Sequence, residues 1–166
     1  MSLIDVQIIE LFGLDKGHFI IGEEMIKISD SEWEVLRVVW TNPDCDAHLV
    51  SEVLGDSKDW QKSTVKTLLA RLVKKGALNT TRVRNKFIYT PTVTEEEVIV
   101  SATETLFSHI CAKKIGQTIA EMITSCELTP ADYQLIQEAL AQKETVETIE
   151  CNCIPGQCHC KEHQQR

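Results

Sequence analysis

The sequence predicts a mainly α-helical protein with one small β-hairpin, and three observations support this fold class. Apolar residues recur at helical spacing in three segments before residue 76. Two short β-type segments, 78–82 and 86–90, then flank a turn near Arg84-Asn85. Helical spacing returns after Pro91. The 166 residues, 43% of them apolar, suffice for one or two small cores.

The first two helices are predicted from their capping residues. Ser29 is an N-cap residue type, and Glu32 three positions later completes a capping box, so a helix is expected to run to about Trp40. An Asn-Pro-Asp turn follows. Asp46 can cap a second, shorter helix, which is predicted to end at Gly55.

The third predicted helix, from about Gln61 to Lys75, has the most regular pattern in the chain. Its apolar face comprises Val65, Leu68, Leu69, Leu72 and Val73. Its opposite face carries hydroxyl and cationic side chains without a carboxylate, namely Ser63, Thr67, Ala70, Arg71 and Lys74, flanked by Thr64 and Lys66. We therefore expect one face in the core and the other available to a polyanion.

The charge distribution supports that expectation. The whole chain has a net charge of -8, yet residues 60–93 contain eight lysines and arginines and no acidic residue. Three helices followed by a cationic hairpin is the order of a winged helix-turn-helix, whose recognition helix enters the DNA major groove. The predicted DNA contacts are Lys62, Ser63, Thr64, Lys66, Thr67, Arg71, Arg84 and Lys86. A domain of the same elements that binds a protein partner is the alternative.

Two further helices are predicted after the hairpin. Thr94 and Glu97 form a second capping box, and Thr129 caps another helix with Pro130 in its first turn. The apolar positions of the first are Val98, Ala102, Leu106, Ile110, Ile115, Ile119, Met122 and Ile123. Two helices cannot bury such a stripe alone, which predicts a homodimer; the alternative is that they fold back on the winged domain.

The tail segment CNCIPGQCHC contains two Cys-x-Cys pairs, Cys151 with Cys153 and Cys158 with Cys160. A turn at Pro155-Gly156 would fold one pair onto the other. Disulfide bonding is disfavoured by a reducing compartment and by the tight spacing. Thiolates at this density select Zn(II), Cu(I) or an iron-sulfur cluster; four suit tetrahedral Zn(II), and the same loop could hold two Cu(I) ions.

The other cysteines and the tail histidines carry a weaker signal. Cys45 falls in the predicted turn, and Cys111 and Cys126 have no partner at ligand spacing, so all three are predicted to be small apolar residues. His159 and His163 are expected to be solvated, with auxiliary metal ligation as the alternative.

Two segments, ISDSEWEVLRVVW and DWQKSTVKTLLARLVKKGALNTTRVRNKFIYTPTV, strongly resemble the BlaI/MecI/CopY family of bacterial winged-helix repressors. The double Cys-x-Cys tail resembles the copper-responsive CopY branch. One departure is Gln61, where BlaI and MecI carry Ser followed by Pro.

The resemblance implies a homodimer that binds a pseudo-palindromic operator. It also implies that the Zn(II)-loaded form holds DNA, that Cu(I) releases it, and that a copper chaperone donates the Cu(I).

The expected domain organisation has four parts. Residues 1–24 are an extension, interpreted as a translated leader or a non-native segment because Gly22-Glu23-Glu24 codons can spell a ribosome-binding site before Met25. A DNA-binding domain (25–93), a helical dimerisation region (94–145) and a metal-binding tail (146–166) follow. The absence of a secretory signal and of a long apolar run predicts a cytoplasmic protein, and the resemblance implies a bacterial one.

Two other functions compete with a copper-responsive repressor. A repressor of the BlaI/MecI type would be inactivated by proteolysis, a scheme in which the tail has no role. A copper buffer or chaperone would make the basic domain incidental. An enzyme is not expected, because no nucleophile-base arrangement or Gly-rich phosphate loop is present.

Overall fold

The computed structural model describes residues 26–161. Within these residues the chain divides into two compact units, 26–101 and 102–161. The predictions for residues 1–24 and for His163 lie outside the described residues. No helix among those described is long and apolar enough to cross a membrane.

The part of the first unit before Thr92 contains three helices and a three-stranded antiparallel sheet, which confirms the predicted fold class. In chain order its elements are α1 (Asp30–Thr41), β1 (Cys45–Asp46), α2 (Ala47–Lys58), α3 (Lys62–Lys74), β2 (Leu78–Val83) and β3 (Lys86–Pro91). The strands lie in the order β1-β3-β2. The hairpin of β2 and β3 closes on the pair Val83 and Lys86, so it forms the predicted wing after the third helix.

The core of this unit is aliphatic and draws on all three helices. Its fully buried side chains include Val35, Leu36 and Val39 of α1, Val50 of α2, Val65, Leu69 and Leu72 of α3, and Leu78 of β2. The indole Nε1 of Trp40 donates a 2.8 Å hydrogen bond to the carbonyl of Val93, which ties the end of α1 to the segment after the wing. The predicted apolar face of α3 is thus its buried face, and its cationic face is left outside.

Local capping signals are confirmed at four helix starts. Ser29 and Glu32 form the predicted capping box of α1. The Asp46 carboxylate accepts from the backbone N–H groups of His48 and Leu49 at the start of α2. Thr94 with Glu97 caps the helix that follows the wing, and Thr129 forms a capping box with Asp132 at the last helix. Gln61 makes no side-chain cap hydrogen bond to α3.

Two local predictions about the first unit were wrong. The second helix continues through Gly55 to Lys58, because Asp59 adopts a left-handed conformation (φ 54°) and its N–H bonds to the Gly55 carbonyl. Cys45 is not in a turn but in β1, paired with Tyr89 of β3, and it is buried in the core. It is therefore the small apolar residue predicted, in a strand that the sequence pattern did not indicate.

The helix predicted to run from Thr94 past Ile119 is broken in two. It comprises α4 (Glu95–Ser108), a 3₁₀ turn (Ala112–Lys114) and α5 (Ile115–Ser125); α6 (Pro130–Gln142) follows. The end of α4 tightens into i+3 hydrogen bonds, from His109 N–H to Leu106 and from Ile110 N–H to Phe107. Successive apolar residues of the predicted helix are four positions apart up to Ile110, but Ile110 and Ile115 are five apart, and the break occurs between them.

Candidate DNA-binding surface and metal centre

The basic surface consists of the exposed face of α3 and the tip of the wing. All eight predicted DNA contacts are exposed: Lys62, Ser63, Thr64, Lys66, Thr67, Arg71, Arg84 and Lys86. The buried apolar face of α3 fixes the helix against α1 and α2, so the six helix residues are presented from a rigid element. These residues remain predictions as DNA contacts; the structure supplies their exposure and arrangement.

Ion pairing divides the cations of this surface into two groups. Within residues 26–161, Lys62, Lys66, Arg71 and Arg84 form no ion pair with a carboxylate. Lys86 differs, because its Nζ lies 2.5 Å from the Asp46 carboxylate. The Lys86 hydrogen bond is the main reason that the pKa of Asp46 is lowered. Lys86 is thus already partly neutralised in the free protein.

Two details shape what the surface can contact. Arg84 sits at the hairpin tip with a positive φ of 56°. The Thr67 hydroxyl donates a 2.9 Å hydrogen bond to the Ser63 carbonyl within α3. Because its proton is engaged, Thr67 offers a lone-pair acceptor and a methyl group to a base edge, whereas the cations can only donate.

The cysteine cluster lies in the second unit and brings the four tail thiols together. The Sγ atom of Cys151 lies 3.5 Å from that of Cys158. Cys151, Cys153 and Cys158 form one group whose sulfurs all lie within 4.8 Å of one another. Cys151 and Cys160 belong to a second such group. The two predicted Cys-x-Cys pairs therefore fold onto each other.

The turn between the pairs has the predicted residues. The N–H of Gln157 bonds to the Ile154 carbonyl at 3.1 Å, which closes a four-residue turn with Pro155 and Gly156 at its centre. Gly156 has a φ of 95°, a conformation that a residue with a Cβ adopts only with strain. This geometry is what lets Cys158 and Cys160 approach Cys151.

A fifth cysteine, Cys111, joins the cluster, and the prediction that it lacks a partner was wrong. Its Sγ lies 3.5 Å from Cys151 Sγ and 3.6 Å from Cys160 Sγ. Cys111 is forty residues earlier in the chain than Cys151, so no spacing rule could find it. The break in the apolar stripe beside it was the available signal. Cys126, by contrast, is exposed, and it belongs to neither group of converging thiols among the described residues.

The donor chemistry fits a soft metal ion. None of the seven cysteines, all of which lie within residues 26–161, forms a disulfide, and the separations of 3.5–3.6 Å exceed the roughly 2.05 Å of an S–S bond. Sulfurs bound to one tetrahedral ion at about 2.3 Å lie about 3.8 Å apart, close to those separations. Burial and the neighbouring thiols raise the pKa of Cys153 to about 12, whereas the Cys160 backbone N–H lowers that of Cys158.

Comparison with known proteins identifies the family. The family model described as "penicillinase repressor" matches residues 28–142. The chain belongs to the penicillinase repressor family. This family consists of DNA-binding transcriptional repressors, so the expectation that the chain is not an enzyme is confirmed. The match ends before the cysteine tail, so the repressor assignment stands independently of the metal chemistry.

Two sequence relatives of this penicillinase repressor family member match most of its length, and a solved structure matches just under half of it. It is 39% identical to the "uncharacterized 16.5 kDa protein in ptsI 3'region" of Latilactobacillus sakei, over 86% of this chain and 99% of that protein. It is 27% identical to the penicillinase repressor of Bacillus licheniformis, over 71% of this chain and 95% of that protein. The solution structure of Bacillus licheniformis BlaI, a monomeric form in complex with the blaP half-operator, is 36% identical over 45% of this chain and 90% of that one, with a TM-score of 0.40.

Proposed function

We propose that the protein is a copper-responsive repressor, which binds operator DNA as a homodimer when Zn(II) occupies the tail and leaves it when Cu(I) binds. The observation that carries the proposal is the convergence of the thiols of Cys151, Cys153, Cys158 and Cys160 in a chain with a winged DNA-binding domain. A copper chaperone would donate the Cu(I), and the protein would act in the bacterial cytoplasm.

The DNA half of the proposal rests on charge and exposure. Cations of α3 and of the wing tip can neutralise phosphates, and hydroxyl side chains near the start of α3 can reach base edges. The homodimer is supported by apolar side chains that a single chain leaves exposed on α5 and α6, among them Ile119, Met122 and Leu135. A two-fold dimer would present two recognition helices to two operator half-sites.

The sensing half rests on the tail thiols. When bound, the metal supplies the positive charge that lets several adjacent thiols ionise together. The residues of the tail then hold one loop conformation, fixed by the turn at Pro155-Gly156. Release of DNA requires only that the two metal-loaded forms differ in operator affinity, and a coupling of about 3 kcal/mol would change that affinity by about 150-fold.

A second candidate function is a repressor inactivated by proteolysis, favoured by the similarity to the penicillinase repressor of Bacillus licheniformis. In that scheme the tail cysteines play no part in release. A copper buffer or chaperone is a third candidate, in which DNA binding plays no part. Release of DNA by Cu(I) would therefore distinguish the proposed function from inactivation by proteolysis, and operator binding would distinguish it from a copper buffer or chaperone.

The test measures operator affinity with each metal. A high-affinity duplex is first selected from a random library with the Zn(II)-loaded full-length protein. Fluorescence anisotropy then follows its release on addition of Cu(I) under reducing, anaerobic conditions, for the wild type, for Cys151→Ser/Cys153→Ser, and for the control Cys126→Ser. We expect Cu(I) to release the wild type and the control. The double variant lacks two of the four tail thiols, so its operator affinity should lose the part that depends on Zn(II) and should not change on addition of Cu(I).

Three outcomes contradict the proposal. Release of the double variant at the wild-type Cu(I) stoichiometry would locate the sensor outside the tail. Retention of DNA by the wild type would favour inactivation by proteolysis. Failure to select any sequence from the library would favour a copper buffer.

A further inference from the structure

We infer that Cys111 is a fifth thiolate ligand of the metal centre, and that it fastens the loaded tail to the junction between α4 and α5; this inference rests on the proposed metal binding by the tail. Cys111 Sγ lies 3.5 Å from Cys151 Sγ and 3.6 Å from Cys160 Sγ, and the tail cysteines Cys151 and Cys158 are separated by a similar 3.5 Å. The family match covers Cys111 but ends at residue 142, before the tail, so it says nothing about a contact between Cys111 and the tail cysteines.

The burial of Cys111 is explained by the tail. It is 7% exposed, and it is the one buried residue among those described in the second unit, residues 102–161. Cys111 is therefore not buried in an aliphatic core, whereas Cys45 lies in the aliphatic core of the first unit. A thiol whose close neighbours are other thiols has the surroundings of a ligand rather than of a core residue.

A second contact holds the tail in the register that this arrangement requires. The backbone N–H of Ala112 donates a 2.8 Å hydrogen bond to the side-chain Oδ1 of Asn152. Asn152 lies between Cys151 and Cys153, and Ala112 follows Cys111 directly. The bond therefore places the first Cys-x-Cys pair against the start of the 3₁₀ turn, independently of the sulfur contacts.

The five sulfurs form two overlapping groups of three. One group is Cys111, Cys151 and Cys160, and the other is Cys151, Cys153 and Cys158. Each group offers three soft ligands, which suits a Cu(I) ion, and the groups share Cys151. In this arrangement the tail alone completes only one group, so full Cu(I) capacity requires Cys111.

The position of Cys111 gives metal binding a structural consequence. It precedes the 3₁₀ turn that separates α4 from α5, and its carbonyl accepts from Lys114 N–H at 2.7 Å. Ligation at Cys111 would therefore fix the backbone at the break between two helices of the proposed dimerisation region. A tail that bound metal through its own four cysteines alone would lack this covalent route into the helices.

The test counts Cu(I) ions bound in competition with a chromogenic Cu(I) chelator, under reducing, anaerobic conditions, with full-length proteins. The wild type and Cys126→Ser should bind two Cu(I) per chain. Cys111→Ser should keep one tight site and bind the second at least about tenfold more weakly, because even an outer-shell change costs 10- to 100-fold in metal affinity. Cys160→Ser should have the same effect. Because Cys111 and Cys160 belong to the same group, Cys111→Ser/Cys160→Ser should bind the second Cu(I) little more weakly than either single variant.

A second measurement needs no variant. Alkylation rates of individual cysteines in the wild type, read by peptide mass spectrometry, should fall at Cys111 on Cu(I) loading and stay unchanged at Cys126. Wild-type stoichiometry and affinity in Cys111→Ser, or an unchanged alkylation rate at Cys111, would overturn the inference while leaving the tail site intact. Absence of Cu(I) binding by the wild type would instead overturn the proposed function and this inference with it.

Discussion

The Nζ atom of Lys75 lies 2.6 Å from the carboxylate of Glu32, a side chain that is 2% exposed. Glu32 is also the capping-box residue of α1, and Lys75 is the C-cap of α3, so one carboxylate joins the start of the first helix to the end of the third. Lys75 donates in addition to the Lys27 carbonyl. This pair therefore holds α3 in the orientation in which its cationic face points away from the core.

Glu32→Gln should destabilise the protein by about 2 kcal/mol, because the substitution leaves buried hydrogen-bond partners poorly satisfied. Burial alone would raise the pKa of Glu32, but hydrogen bonds from Lys75 and Ser29 outweigh it, and the pKa is lowered from 4.5. A lowered pKa adds stability above the unfolded-state value, and this stability is lost as the pH falls through the folded-state value. Urea unfolding should therefore show the stability difference between the wild type and the variant shrinking as the pH falls below 4.5 and through the lowered folded-state pKa.

The matched control is Glu34→Gln on the same helix. Glu34 pairs with Lys58 at 3.0 Å, but both side chains are partly exposed, so the loss should stay under about 0.5 kcal/mol. An equal loss in the two variants would contradict a special role for Glu32.

The wing lysine should be a weaker phosphate anchor than the neighbouring arginine. Arg84→Ala should weaken binding to operator and random DNA equally and reduce the salt slope by about one. Lys86→Ala should have a smaller effect, because Lys86 must leave the Asp46 carboxylate before it can bind a phosphate.

Asp46→Asn provides the converse test. Asn is as good an N-cap as Asp, so α2 should stay intact while Lys86 is freed. Binding to all DNA sequences should become tighter, with a steeper salt dependence, as read by anisotropy titrations at several salt concentrations. Weaker binding by a folded Asp46→Asn protein would show that the ion pair positions the wing productively.

Two hydroxyl residues of α3 should carry sequence specificity. Ser63→Ala and Thr67→Val should cost about 1–3 kcal/mol on the selected operator and little on random DNA, because base contacts discriminate where phosphate contacts do not. Thr118→Val is the control, since Thr118 of α5 makes the same type of bond to the carbonyl four residues earlier, at 3.0 Å. Equal losses on the two DNAs for Ser63→Ala and Thr67→Val would remove them from base readout.

The sequence could predict those parts of the fold that depend on nearby residues. The capping boxes at Ser29, Thr94 and Thr129 each span four residues, and the buried face of α3 follows its own periodicity. The two-residue strand β1 could not be predicted, because its pairing with β3 joins residues more than forty positions apart. The missed ligand candidate, Cys111, depends in the same way on tertiary placement.

Glu32 shows the same limit within a correct prediction. Its capping role follows from the local pattern, whereas its ion pair spans 43 residues and could not be inferred from it. For the DNA-binding surface the local pattern was enough to predict exposure, because helical periodicity alone separates the two faces of α3.

The exposed apolar residues of α5 should hold two copies of the protein together. Ile119 and Met122 lie three residues apart on one helix face and are 40% and 46% exposed in the single chain. Burying the exposed part of each side chain at a subunit interface would contribute about half of the 1.5–3 kcal/mol of a full burial, and a two-fold dimer would bury each side chain twice. Ile119→Asp/Met122→Asp should therefore raise the dimer dissociation constant at least about 100-fold, as measured by sedimentation velocity.

Binding of this double variant to a two-half-site operator should fall far more than binding to a single half-site, since only the former requires both copies. Val53→Asp, at a position 45% exposed on α2, should leave the dimer intact, and an unchanged dimer in the double variant would place the interface on another surface.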